Sequence, residues 1–417
     1  MLSKSLLKNA LLLLVVMFMK SSESRTSNSS TINETENEGI IRLLTILPYP
    51  VPPNDSVSLQ PYWDGGLAVL RAAQLAVEHV DQDPNTLPGY RVELLNVDGG
   101  CNVFSRALMN FAEHVLYGSS IAGIIGPACP PSSLAVSSIL GRPETALPNI
   151  HLATSPTLGD RSKYSNTYGI RSSSLTMVIT AILLSEHNKW EKIAALIDPD
   201  TYSHLNQNLR DAVTGALQTN RVVYFSVVYD TYIPFESLVK NSAKVILLFT
   251  TSPLFATKLL CIAHVKDMVF PYYQWVVVGH HLDELLRKTV FNYDGVIYNC
   301  SNRAILKDNL LIVQRIRNLD VNSQLVSGHT YNDIYQNYLR KLSTFNKNSV
   351  HELTPDVRAA ITYDAVWALA LAINTTLEGS IVNISGIQYG NKVFTDKTKQ
   401  SLAKIAFDGA SGYIKDH

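Results

Sequence analysis

The 417 residues include 35 basic and 35 acidic side chains, so the formal net charge is zero. That balance removes the electrostatic case for nucleic acid or an anionic membrane surface as a partner. Hydrophobic residues at 46% and charged residues at 17% describe an ordinary globular chain, too long for one core and suited to two α/β lobes.

Lys4 and Lys8 precede the apolar run Ala10 to Met19, and Ser21, Ser22 and Ser24 follow it. A charged start, a short apolar core and a small-residue exit form a secretory signal peptide, placed here at 1–22. An uncleaved anchor is the alternative, but the run is too short for a hydrocarbon layer of about 30 Å. Residues 23–39 are rich in Ser, Asn and Glu and read as a disordered leader. Beyond them the best apolar candidate, Ala365 to Ile373, is short and reads as a buried helix. Four cysteines, with N-x-S/T triplets at Asn28, Asn33, Asn54, Asn299, Asn374 and Asn383, agree with an oxidising compartment and glycosylation.

Strands and helices then alternate. Ile40 to Leu47 is an apolar strand stopped by Pro48, Pro50, Pro52 and Pro53. From about Asp64 to Asp81, Leu67, Leu70, Ala73, Val77 and Val80 recur at helical spacing. Strands at 91–97, 121–125 and 149–152 alternate with helices at 103–117 and 132–140. The alternation restarts with a helix at 175–187 and strands at 192–197, 221–228, 244–249 and 273–278, separated by helices at 202–218 and 254–265. After Gly295 the pattern is mainly helical, at 306–318, 332–342 and 356–377. The fold class is therefore α/β, two doubly wound parallel-sheet lobes. The late helices are expected to return to the first lobe. Lobe 1 comprises 40–168 with 296–405, and lobe 2 comprises 169–295 with 406–417.

Ligands of open parallel sheets bind beyond the carboxyl ends of the strands. In the first lobe that rule selects Trp63 with Gly65 and Gly66, Asp98 to Cys101, Gly126 to Ser133, and Ala153 to Pro156. In the second it selects Asp198 to Tyr202, Thr250 to Ser252, and Gly279 to His281. Four cysteines allow three pairings. Cys101 with Cys129 and Cys261 with Cys300 are favoured, because each pair stays within one lobe and leaves closure free. Each bridge would stabilise by roughly 3–4 kcal/mol. Adjacent His280 and His281 with Asp283 and Glu284 do not make a metal site, since neighbouring side chains on extended backbone point apart. Neither G-x-S-x-G nor a phosphate-binding G-x-x-x-x-G-K-[ST] occurs, and neither an enzyme nor a cofactor is expected.

Several stretches resemble the metabotropic GABA receptors. They are Tyr62-Trp63-Asp64-Gly65-Gly66, Leu94 to Cys101, Ile125-Gly126-Pro127-Ala128-Cys129, Thr154 to Arg161, Trp275 to Gly279 and, most clearly, Tyr363 to Asn374. The similarity runs from about residue 40 to 415. It implies the Venus-flytrap, periplasmic-binding-protein-like type I fold of a class C G-protein-coupled receptor. Such a domain takes a small ligand in its cleft, pairs as a homo- or heterodimer through lobe 1, and reaches a G protein only through a seven-helix membrane region. The resemblance places Trp63 against the ligand and Thr154 as a hydroxyl donor, and it sets Pro130 where a carboxylate-holding Ser would sit. It sets Arg171 at a cleft His, Thr250 and His280 at two ring positions, and Arg358 where a Glu would pair with an ammonium.

An Arg at that last position disfavours a cationic amine, so GABA itself is not the expected ligand. Arg171 and Arg358 suit a dicarboxylate or another acidic metabolite, and a partner subunit that binds no ligand is the competing expectation. A soluble secreted binder is a third. Phe407 to Ile414 resembles the family's third crossover into lobe 2, which would leave that lobe with an open edge and suggests a truncated form.

Overall fold

The computed structural model describes residues 39–48, 66–100, 104–116, 120–170, 174–198, 222–228, 233–250, 253–279, 290–293, 296–299, 310–313, 321–346, 356, 358–378, 387 and 391–415. The signal peptide, the leader, Trp63, Arg171, Tyr202, His280, Cys101, Cys300, Asn54 and Asn383 lie outside the described residues.

The first parallel sheet contains β1 (Ile40–Leu47), β2 (Arg91–Asp98), β3 (Gly123–Ile125), β4 (Asn149–His151) and β5 (Thr167–Gly169), in the order β2-β1-β3-β4-β5. β1 is an interior strand between β2 and β3, and its IIRLLTIL sequence is buried along nearly its whole length, as expected of a strand covered by helices on both faces. One face is closed by α1 (Gly66–Gln82) and α8 (Ala359–Glu378). Ala68, Ala72, Ala73 and Ala76 of α1 and Ala365, Ala368 and Ala372 of α8 are buried in one core. Their small side chains let the two helix backbones approach closely. Helix α8 is apolar and long enough to cross a membrane by composition, yet most of it is buried inside this lobe. It is a core helix, as its sequence implies. The opposite face carries α2 (Phe104–Phe111) and α3 (Pro130–Leu140), whose lobe side packs on Leu44, Ile46 and Ile124.

The second parallel sheet has the order β12-β9-β8-β6-β7. Its strands are β6 (Ile193–Ile197), β7 (Val222–Val227), β8 (Val245–Phe249), β9 (Gln274–Val278) and β12 (Leu310–Val313). Helix α4 (Ser174–His187) lies on one face, and α5 (Phe235–Lys240) and α6 (Pro253–Val265) on the other. An antiparallel ribbon, β10 (Val290–Tyr293) with β11 (Val296–Asn299), adjoins α6 through Tyr298.

Two boundaries differ from the sequence reading. Residues 306–318 were expected as a helix of lobe 1, but Leu310–Val313 is a strand paired in parallel with β9. Leu310–Val313 is the edge strand of that sheet, with Leu311 exposed and Val313 buried, and four consecutive apolar residues carry no periodicity that separates a strand from a short helix. Residues 406–417 were assigned to lobe 2. Instead β13 (Ala406–Gly409) and β14 (Gly412–Lys415) form a hairpin whose Phe407, Ala410 and Ile414 enter the first core. Helices α7 (Tyr331–Asn346) and α9 (Lys392–Leu402) also pack on that core, through Ile334, Tyr338, Phe394 and Leu402.

Candidate functional site

Each sheet reverses its direction of growth once. In the first, the chain runs from β1 to β2 on one side and then to β3 on the other. In the second, it runs from β6 to β7 and then back to β8. Loops diverge at such switch points and leave a crevice at the carboxyl ends of the strands. The four loops concerned follow β1, β3, β6 and β8. They carry Trp63, Pro130, Tyr202 and Thr250 respectively. Thr154 follows β4 and His280 follows β9, each one strand farther along its sheet.

Close backbone approach fixes the roots of the first-lobe loops. A Cβ at Gly66 would lie 1.7 Å from the Pro48 carbonyl oxygen, so the start of α1 abuts the end of β1 and brackets the Trp63 segment. Gly126 has φ +101, and a Cβ there would lie 2.4 Å from the Ile46 carbonyl oxygen. Gly126→Ala should therefore lower stability by about 3 kcal/mol in urea titration, through strain and collision together.

The β3 loop is tied to its neighbours by hydroxyls. Ser132 donates to the carbonyls of Gly99 and Gly100, each at 3.0 Å. Ser133 donates to the Pro127 carbonyl at 2.7 Å. Both serines are buried. Asp98 accepts from the Gly100 amide at 3.0 Å and from Arg106 at 2.8 Å. Helix α3 then opens on Pro130 and Pro131, neither of which has an N–H, so two of the four amides that a helix start leaves free of intrahelical partners are absent. The ordinary anion-binding capacity of a helix N-terminus rests on those amides. Here half of it is gone.

Thr154 is half-buried and engaged in contacts of its own. His151, at the end of β4, is buried, and desolvation lowers its pKa from 6.5 to about 4, so the ring is neutral. In the second lobe Thr250 and Asp198 are both buried at the switch point. The Asp198 amide donates to the Phe249 carbonyl at 3.0 Å, which locks the ends of β6 and β8 together.

Arg358 stands just before α8 and is bound by Asp356. Its Nε donates to Asp356 Oδ1 at 2.7 Å, and its second guanidinium nitrogen donates to Oδ2. Oδ1 also accepts from the Arg358 amide at 2.8 Å, so Asp356 serves the helix start as well. The bidentate pair compensates the guanidinium charge. The helix expected at 356–377 starts three residues later, at Ala359, which frees Asp356 to hold Arg358 and the backbone at the helix start.

Cys129 and Cys261 are disulfide-bonded; their expected partners, Cys101 and Cys300, lie outside the described residues. Asn374 does not suit the glycosylation expected of it. Its Oδ1 accepts from the Leu87 amide at 3.0 Å, while Nδ2 donates to Asn85 at 3.3 Å and Glu378 at 2.8 Å. A glycan on that nitrogen would leave one N–H for these two acceptors, within the last turns of α8.

The model of the receptor family ligand binding region matches residues 68–415, which takes in both parallel sheets from α1 onward. The chain belongs to this receptor ligand-binding family. Gamma-aminobutyric acid type B receptor subunit 1 of Mus musculus is 26% identical over 364 residues, covering 84% of this chain and 36% of that protein. The Caenorhabditis elegans subunit 1 is 24% identical over 378 residues, 84% of this chain and 38% of that protein. Subunit 2 of Homo sapiens is 22% identical over 324 residues, 75% of this chain and 32% of that protein. The chain thus spans about a third of the length of the curated relatives it matches. The chain has the α/β architecture of two parallel sheets that the resemblance implied, and its family is that of receptor ligand-binding regions. The proteins it matches are receptors rather than enzymes.

Proposed function

We propose that this chain is the extracellular clamp of a cell-surface receptor, closing on a small polar molecule held by the loops of the two switch points. The observation that supports the reading is the presence of two doubly wound sheets, each with its own switch point, in a chain of a receptor ligand-binding family. Trp63, Thr154, Arg171, Tyr202, Thr250 and His280 are the proposed contacts, and a receptor homo- or heterodimer through lobe 1 is the proposed assembly. A G protein would be reached only through a membrane region outside this chain.

A second reading has specific support. Pro130 and Pro131 strip α3 of amides, and Asp356 already holds Arg358. Both features weaken the grip on a carboxylate and favour a partner subunit that itself takes no agonist. Thermal denaturation of the secreted domain with amino acids and dicarboxylates separates the two. A true ligand at a hundredfold excess over Kd should stabilise by about 2.7 kcal/mol. Arg171→Ala should abolish that shift, and Arg358→Ala should leave it. A ligand unaffected by both substitutions removes the acidic class, and no shift with any compound supports the partner subunit.

A further inference from the structure

Two N-x-S/T asparagines fall among the described residues, and their surroundings are opposite. Asn374 lies within the 20-residue helix α8. Its amide brackets the turn 85–87 to that helix through both of its polar atoms. Asn299 is the last residue of β11 and is exposed. Alternation along a strand places Ile297 and Asn299 on one face and Tyr298 on the other. Tyr298 packs against the core beneath α6, so the face shared by Ile297 and Asn299 points outward. Ile297 is 72% exposed, which leaves a large branched side chain in water two residues from the acceptor nitrogen.

We propose that Asn299 bears an N-linked glycan whose first sugars lie over Ile297, and that Asn374 is left unmodified in the folded, secreted protein. A glycan is bulky and solubilising, and the outer face of the β10–β11 ribbon has both the acceptor and an apolar surface for it to shield. At Asn374 the same modification leaves one N–H for two acceptors, Asn85 and Glu378, and sets a bulky group where α8 meets the 85–87 turn, so chains modified there fold poorly and are retained in the cell. The inference rests on the secretory reading of the amino terminus.

The test is site-resolved mass spectrometry of the full chain secreted from an animal cell line, with and without enzymatic removal of N-glycans. Asn299 is expected to be occupied and Asn374 empty. Asn299→Gln should remove one glycan step on a gel and raise binding of a hydrophobic dye, and adding Ile297→Ser should reverse the dye signal. Asn374→Ala should leave the glycan pattern unchanged but lower Tm, because it releases the 85–87 turn. Occupied Asn374, or unmodified Asn299 beside modified Asn54 or Asn383, overturns the assignment. A dye signal unchanged in Asn299→Gln overturns the shielding of Ile297. Failure of the secretory reading looks different, since the chain would then stay inside the cell with no asparagine modified, and the proposal falls with it.

Discussion

Asp364→Ala is expected to cost the first lobe about 3–5 kcal/mol and to release the β13–β14 hairpin. Asp364 is fully buried in α8. Its Oδ1 accepts from the Ala410 amide at 2.7 Å, and Oδ2 accepts from the Ser411 amide at 2.7 Å and from the Ser411 hydroxyl. These three bonds fasten the turn of a hairpin that brings Phe407, Ala410 and Ile414 into the first core. The Val326 amide also donates to the Asp408 carbonyl at 2.9 Å, a backbone bond from another part of the lobe. Alanine leaves the buried Ala410 amide and the part-buried amide and hydroxyl of Ser411 without acceptors, which costs more than the lost bonds alone. Asparagine keeps one acceptor but turns an NH2 toward a donor, so its loss should be intermediate. Urea titration reads the stability change. Hydrogen exchange should speed up across 406–415 while strands β6 and β8 in the second lobe keep their protection. A loss below about 1 kcal/mol would show that the hairpin is held by its apolar contacts instead.

The sequence exposed the parallel strands and the buried helices well, because each announces itself locally. Ile40 to Leu47 is apolar from end to end, and the Ala-rich run from Ala365 cannot be a surface helix. Asp364 in the middle of that helix was read only as part of a resemblance, since its partners are some 46 residues away in a turn with no local pattern of its own. The same distance effect hid the lobe of residues 406–415. The hairpin's apolar residues are few, and nothing in their spacing says which core they enter. At the site, the strand-end rule located the loops of both switch points, and the structure places β1, β3, β6 and β8 accordingly. Charge was harder to read. Arg358 taken alone is a cation at a cleft position, whereas with Asp356 two residues earlier it is half of a neutral pair.

Acid should destabilise the protein through His79 and His151 and stabilise it through Asp364, which offsets only part of the histidine loss, so the wild type should lose about 2 kcal/mol between pH 7 and 4. Desolvation by burial lowers His79 from 6.5 to about 4, and His329, whose ring centroid is 4.1 Å away, adds to the effect. Lys341 acts in the same direction and Glu78 opposes it. His79 Nδ1 is also 2.6 Å from the Tyr363 hydroxyl. His151 is lowered to about 4 chiefly by burial, with Arg161 contributing and a bond to Ala153 opposing. For both histidines the folded value lies below the unfolded one, so their contribution is complete above pH 6.5 and is lost as pH falls through about 4. The limit is about 3 kcal/mol per histidine. Burial raises Asp364 from 3.8 to about 7 against the pull of Ser411 and Ala410. Its contribution has the opposite sign, present in full below about pH 4 and lost as pH rises through about 7, with a limit of about 4 kcal/mol. Asp364→Asn removes the compensating branch, so that variant should lose several kcal/mol between pH 7 and 4 beyond its baseline cost. The double variant His79→Gln with His151→Asn should do the reverse and gain stability on acidification. Surface carboxylates titrate alike in all three proteins and cancel in the comparison. Parallel profiles for wild type and Asp364→Asn would mean that the three donors keep Asp364 ionised throughout, and that burial is the weaker force at the hairpin clasp.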